Sequence, residues 1–193
     1  MTLRQAAAAG LILAILICAA KTALAASVSS ASPPNPQQTD PRAAAADLLE
    51  QMARDRFGNL SAAELRLVRR APYRELAWSG PSDDPDNPLN NPAHGKSWGT
   101  DRTIRAPIIV WLMTNKDAST HVDPSGVGVA GALIHGLLDL SYSESSLPLT
   151  MLSCAIPEGV EFSSAHLEEL DLRRSSTGPI DGEQAVVRGD ITL

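Results

Sequence analysis

From Val127 onward one pattern returns at short, regular intervals: an apolar residue, any residue, an apolar residue. The pairs are Val127/Val129, Leu138/Leu140, Leu149/Met151, Val160/Phe162, Leu170/Leu172 and Ile191/Leu193. Steps between the first five are 11, 11, 11 and 10 residues, and the last step, 21, contains a weaker pair at Ile180/Gly182. Such a step is too short for a helical repeat unit. It fits one short strand and a turn, with two strands per coil of about 21 residues, a solenoid period. In each doublet the outer residues point to one face of a strand and the middle residue to the other. Stacked coils would then line an interior with Val, Leu, Met, Phe and Ile, and no coil would be stable alone. The 68 residues from Gly126 to Leu193 make about three coils. Gly131, Gly136, Ser141, Gly159, Ser175, Gly178 and Gly189 suit the corners.

The residues before the repeat read as helices. Asp40-Pro41 starts one, with an apolar stripe of Leu48, Leu49, Met52 and Phe57 and a stop at Gly58. Ser61 and Glu64 have capping-box spacing for a second, carrying Leu65, Leu67 and Val68 and ending before Pro72. Residues 79–100 form a long loop rich in Pro and Gly, bracketed by Trp78 and Trp98. Asp101 or Thr103 is expected to cap a third helix with Pro107 in its first turn and Ile108, Trp111 and Leu112 on one face. A short helical turn near Lys116–His121 and a tight turn over Asp123–Gly126 complete the segment. The expected fold is α+β: a helical module over 40–125, then a parallel right-handed β-solenoid of about three coils over 126–193.

The N-terminus carries a different signal. Arg4, the apolar run Ala6–Ala20, Lys21 and Ala23-Leu24-Ala25 read as a secretory signal peptide cut after Ala25. An uncleaved membrane anchor is the alternative. Ile17 before Cys18 argues against lipoprotein processing. Residues 26–39, rich in Ser and Pro, read as a disordered spacer. Export to the periplasm or beyond is the resulting expectation. Cleavage would leave Cys154 alone, so no intrachain disulfide could form; it reads as a small buried hydrophobe. With 22 acidic against 16 basic residues, net −6, the chain has no balance suited to nucleic acid. Seven aromatics leave the core mostly aliphatic.

The run Arg102–Ala106, the pair Trp111-Leu112, His121–Gly126, Leu-Asp-Leu at 138–140 and 170–172, Cys154–Ile156, Gly178–Asp181 and Gly189–Leu193 resemble uncharacterised bacterial proteins with pentapeptide-like repeats. The resemblance covers about Leu60 to Leu193. It implies a helical start leading into a β-solenoid, sometimes followed by membrane helices, and carries over no catalytic residue. Pro107 departs from it, sitting where the family's helix usually continues.

Candidate chemistry is sparse. Gly126, Gly128 and Gly131 match G-x-G-x-x-G, but the polar, turn-like residues before them do not make a nucleotide-site strand. Asp83, Asp84 and Asp86 lack the order of a calcium loop. His94, His121, His135 and His166 have no metal-ligand spacing, and His121 with Asp123 reads as part of a turn before it reads as an acid–base pair. With coils of 21–22 residues, Asp139, Glu161 and Asp181 should stack on one outer sheet about 4.8 Å apart. They are the weak candidates for a cation or a basic ligand; solvated charge is the simpler account. No cofactor or catalytic residue is expected. The expected role is that of an exported, non-enzymatic structural or interaction protein. It would present a solenoid surface to another protein, an envelope polymer or its own copies, the last through an open C-terminal coil. A β-helix enzyme acting on polysaccharide and a membrane-anchored scaffold are the alternatives.

Overall fold

Asp40 accepts a hydrogen bond from the Arg42 N–H at 3.0 Å, and Pro41 opens helix α1, Pro41–Phe57. Gly58, with φ 74°, ends it as expected. These features come from a computed structural model that describes residues 40–193; the expected signal peptide and spacer lie outside the described residues. Leu49 and Ala53 are fully buried, whereas Leu48 from the expected stripe is 41% exposed. The Ser61–Glu64 capping box is present and starts α2, Ala62–Arg70.

Glu64 does more than cap. Its carboxylate is buried and accepts from Arg105 Nε at 2.7 Å, Arg105 Nη2 at 2.9 Å and the Arg105 backbone N–H at 3.0 Å. Arg105 also donates to the Phe57 and Asn59 carbonyls at 3.1 Å. One ion pair thus ties the helical hairpin to the strand Thr103–Arg105.

The strands are short and all pair in parallel. They are β1 (Ala77–Trp78), β2 (Thr103–Arg105), β3 (Val127–Ala130), β4 (Leu133–His135), β5 (Leu138–Asp139), β6 (Leu149–Leu152) and β7 (Ala155–Ile156). The rest are β8 (Val160–Glu161), β9 (His166–Leu167), β10 (Leu170–Asp171), β11 (Ser176–Thr177), β12 (Ile180–Asp181), β13 (Val186–Val187) and β14 (Ile191–Thr192). They build four sheets: β1-β3-β6-β10-β14, β2-β4-β7-β11, β5-β8-β12 and β9-β13. The register is the expected one. Val127, Leu149, Leu170 and Ile191 stack in one column, and Leu138, Val160 and Ile180 in another. The chain therefore winds as a β-solenoid of about three turns.

Two expectations need correction. A coil has four short sides, not two strands, so the sequence repeat of 10 or 11 residues is half a coil: a doublet side, a tight corner, and a second side. The corner has its own signature. Gly131, Tyr142, Ser153, Ser164, Arg174 and Gln184 all have φ between 52° and 63°. After Leu140, Phe162, Leu172 and Gly182 the corner closes with an i to i+3 backbone hydrogen bond of 3.0 to 3.2 Å. This is type II turn geometry, in which the third residue must be left-handed. Five of these residues are not glycine, at a cost of about 1–2 kcal/mol each, offset by the inter-coil ladder on both sides.

The second correction concerns residues 77–105. Neither Asp101 nor Thr103 caps a helix: Thr103 begins β2, which pairs with β4, and α3 runs Ala106–Thr114 from Arg105. Pro107 does lie in its first turn. With β1 on β3, the solenoid sheets thus reach upstream of Gly126. Helix α3 packs on β2, β3 and β5, next to the strand that begins the third sheet, and shields that edge. Ile108, Ile109, Trp111, Leu112 and Met113 are all buried, as an all-apolar helix requires. A one-turn helix, α4 (Lys116–Ser119), comes next, capped by Asn115. No described helix is long and apolar enough to cross a membrane.

Candidate functional site

Each residue singled out from the sequence has a definite place. Asp139, Glu161 and Asp181 do stand in register on the third sheet. Asp139 and Asp181 each accept a bond from the backbone N–H two residues on, at 2.9 and 3.1 Å. Their carboxylates hold their own corners. No group of three or more His, Cys, Asp or Glu converges on a metal position among the described residues. Asp171 occupies the same doublet-centre position on the first sheet but is buried and paired with Arg173 through bonds of 2.7 to 3.0 Å. The two Leu-Asp-Leu runs differ in their next residue, Ser141 after one and Arg173 after the other.

Cys154 is fully buried, and burial pushes its thiol up to about 12. It is a core residue. Asp123 accepts from the Ser125 N–H and Oγ at 2.9 and 2.7 Å, which hold its carboxyl below the ordinary range; it is a turn residue and not the partner of His121. Gly126 and Gly131 sit at corners with φ 97° and 63°, and Gly128 lies within β3. Asp84 and Asp86 form local turn bonds, and Asp86 also pairs with Arg174. His135 is exposed, 3.8 Å from Glu158. His166 points outward on the fourth side, in register with Glu144. With Lys116, Ser145 and Arg188 these two line a cavity of about 310 Å³.

The feature that sequence reasoning missed is the order in residues 79–102. Short 3-10 turns at Pro88–Asn90, Pro92–Ser97 and Thr100–Arg102 lay this segment back on the second sheet. A Cβ at Gly95 would collide with Ala155 of β7, so only glycine allows the approach. Arg102 is the anchor. It is buried, stacks 3.6 Å from the Trp98 ring, and donates to the Gly131 carbonyl at 2.8 and 2.9 Å and to the Leu89 carbonyl at 2.9 Å. Asn90, also buried, donates to the Ser82 and Asp84 carbonyls at 2.9 Å. Between this segment and the start of the first sheet lies a cavity of about 610 Å³, lined by Trp78, Ser79, His94, Trp98 and Asp101 among others. The bracketing tryptophans were the only sequence signal for it.

At the other end, the last coil leaves its inward positions open. Ile191 and Leu193 are 48% and 71% exposed, and Ile180 is 39% exposed. Strands β11 to β14 each have a neighbour on one side only. Comparison with known protein families, curated proteins and solved structures finds no match for this chain.

Proposed function

We propose that this is an exported, non-enzymatic interaction protein whose solenoid is a rigid platform. The observation that carries the reading is the last described coil. Four strand edges with a neighbour on one side only and three exposed aliphatic side chains, Ile180, Ile191 and Leu193, lie together there. Such an edge templates pairing. Its fitting partner is the same edge of a second copy, brought in by a two-fold axis that buries both apolar ends at once. The four-sided coil, about five residues per side, supports the pentapeptide-like resemblance. The signal-like N-terminus supports export.

Sedimentation equilibrium on the processed chain tests the assembly. A dimer is expected, with Ile191→Lys plus Leu193→Lys weakening it by roughly tenfold or more. A monomer up to about 100 μM, or a dimer indifferent to both substitutions, would overturn the reading. N-terminal sequencing of the exported protein should begin at Ala26; an intact Met1 on a membrane fraction would favour the anchor instead.

A further inference from the structure

The geometry points to a second site, independent of the last coil: the cavity under residues 79–102 binds a neutral saccharide. Its walls are set before any ligand arrives. Ser79 is held in line with the first sheet by its N–H to the Ala130 carbonyl at 2.8 Å, and Arg102 clamps the far wall to Gly131 and Leu89. Preorganised walls reduce the ordering cost of binding.

Three features choose the ligand class. The arginines of the cavity are engaged: Arg102 with Gly131, Leu89 and Asn90, and Arg66 Nη2 with the Asp101 carbonyl at 2.8 Å. Arg102 does not stand ready as a fork for a phosphate or carboxylate, and the exposed Arg66 has one Nη spent on a backbone carbonyl. The Asp101 carboxylate and the His94 imidazole, both on exposed residues, make no hydrogen bond among the described residues and offer an acceptor and a mixed donor–acceptor. Two indoles complete the lining, flat apolar bodies with an N–H at the edge. A pyranose matches this set: its C–H face lies on an indole while its hydroxyls donate to a carboxylate and exchange bonds with an imidazole. The volume, about 610 Å³, is in the range of pockets that enclose ligands of several rings.

The test is titration of the full chain with a panel of neutral trisaccharides built on glucose, mannose, galactose and N-acetylglucosamine, read by calorimetry and tryptophan fluorescence. At least one should bind and shift the fluorescence. Trp78→Ala and Asp101→Asn should each weaken it by about tenfold. His94→Ala, at an exposed position, should weaken it with an unchanged melting temperature, which guards against a Trp78 variant that misfolds. Absence of binding by every neutral member up to about 10 mM, binding untouched by Asp101→Asn and His94→Ala, or preference for sulfated trisaccharides or a proline-rich peptide over all neutral members would overturn the proposal. A monomeric protein that still binds sugar would sink the last-coil reading alone.

Discussion

Arg105→Met is expected to destabilise the fold by about 2–4 kcal/mol. Removing one partner of a buried ion pair costs about 3–5 kcal/mol because the other charge stays behind, and here Glu64 is the one left, its side chain 3% exposed. The Arg105 side chain is 37% exposed, so water reaches it and trims that figure. Urea midpoints at neutral pH read the loss, and Glu64→Gln in the Arg105→Met background should recover part of it. The pH dependence has a definite sign. Burial by itself would push the Glu64 carboxyl up, but the bonds from Arg105 and from the Ser61 and Arg105 backbone hold it below the usual carboxylate range. A depressed acid contributes its stability in full above its unfolded value and loses it as pH falls through the folded one. Wild type should therefore lose stability below about pH 4.5 faster than Glu64→Gln does. Equal acid slopes would remove the pair from the stability account.

The second large effect runs along a column of the core. Leu149 is fully buried between Val127 and Leu170 in register, and Leu149→Ala should cost about 2–5 kcal/mol. Ile191 is the same column position one coil beyond Leu170 but is 48% exposed, and Ile191→Ala should cost under about 1 kcal/mol. Stacked coils depend on their neighbours, so amide hydrogen exchange should be slow around Met151 and fast around Thr192. Similar losses from both substitutions would mean that something covers the last coil in solution.

The apolar doublets were legible because their outer residues face inward and their inner residue outward, a period that burial enforces on a strand. The stacking of Asp139, Glu161 and Asp181 came from that period alone. The four-sidedness was hidden because the doublet marks only alternate sides; the sides at Leu133–His135 and Ala155–Ile156 carry no equal pattern. The corners were hidden for another reason. Tyr142, Ser164, Arg174 and Gln184 adopt φ near 60° without being glycine, so composition gives no warning. The strand Thr103–Arg105 was missed because its partner, Leu133–His135, lies about thirty residues on, and local cues at Asp101 and Pro107 suggested a helix start. The order of residues 79–102 depends on Arg102 finding the Gly131 carbonyl, a tertiary contact that no local spacing encodes.

The most direct test of the winding is cross-linking between coils. Asp139 and Glu161 are paired across neighbouring parallel strands with outward side chains, about 4.8 Å apart, within reach of a disulfide. Cys154 does not compete, since it is buried and its thiol is pushed up to about 12. The double variant Asp139→Cys, Glu161→Cys is expected to form the bond rapidly under mild oxidation. A shifted pair, Asp139→Cys with Glu158→Cys, should not. Fast closure of the shifted pair with none at 139 and 161 would contradict the stacked solenoid.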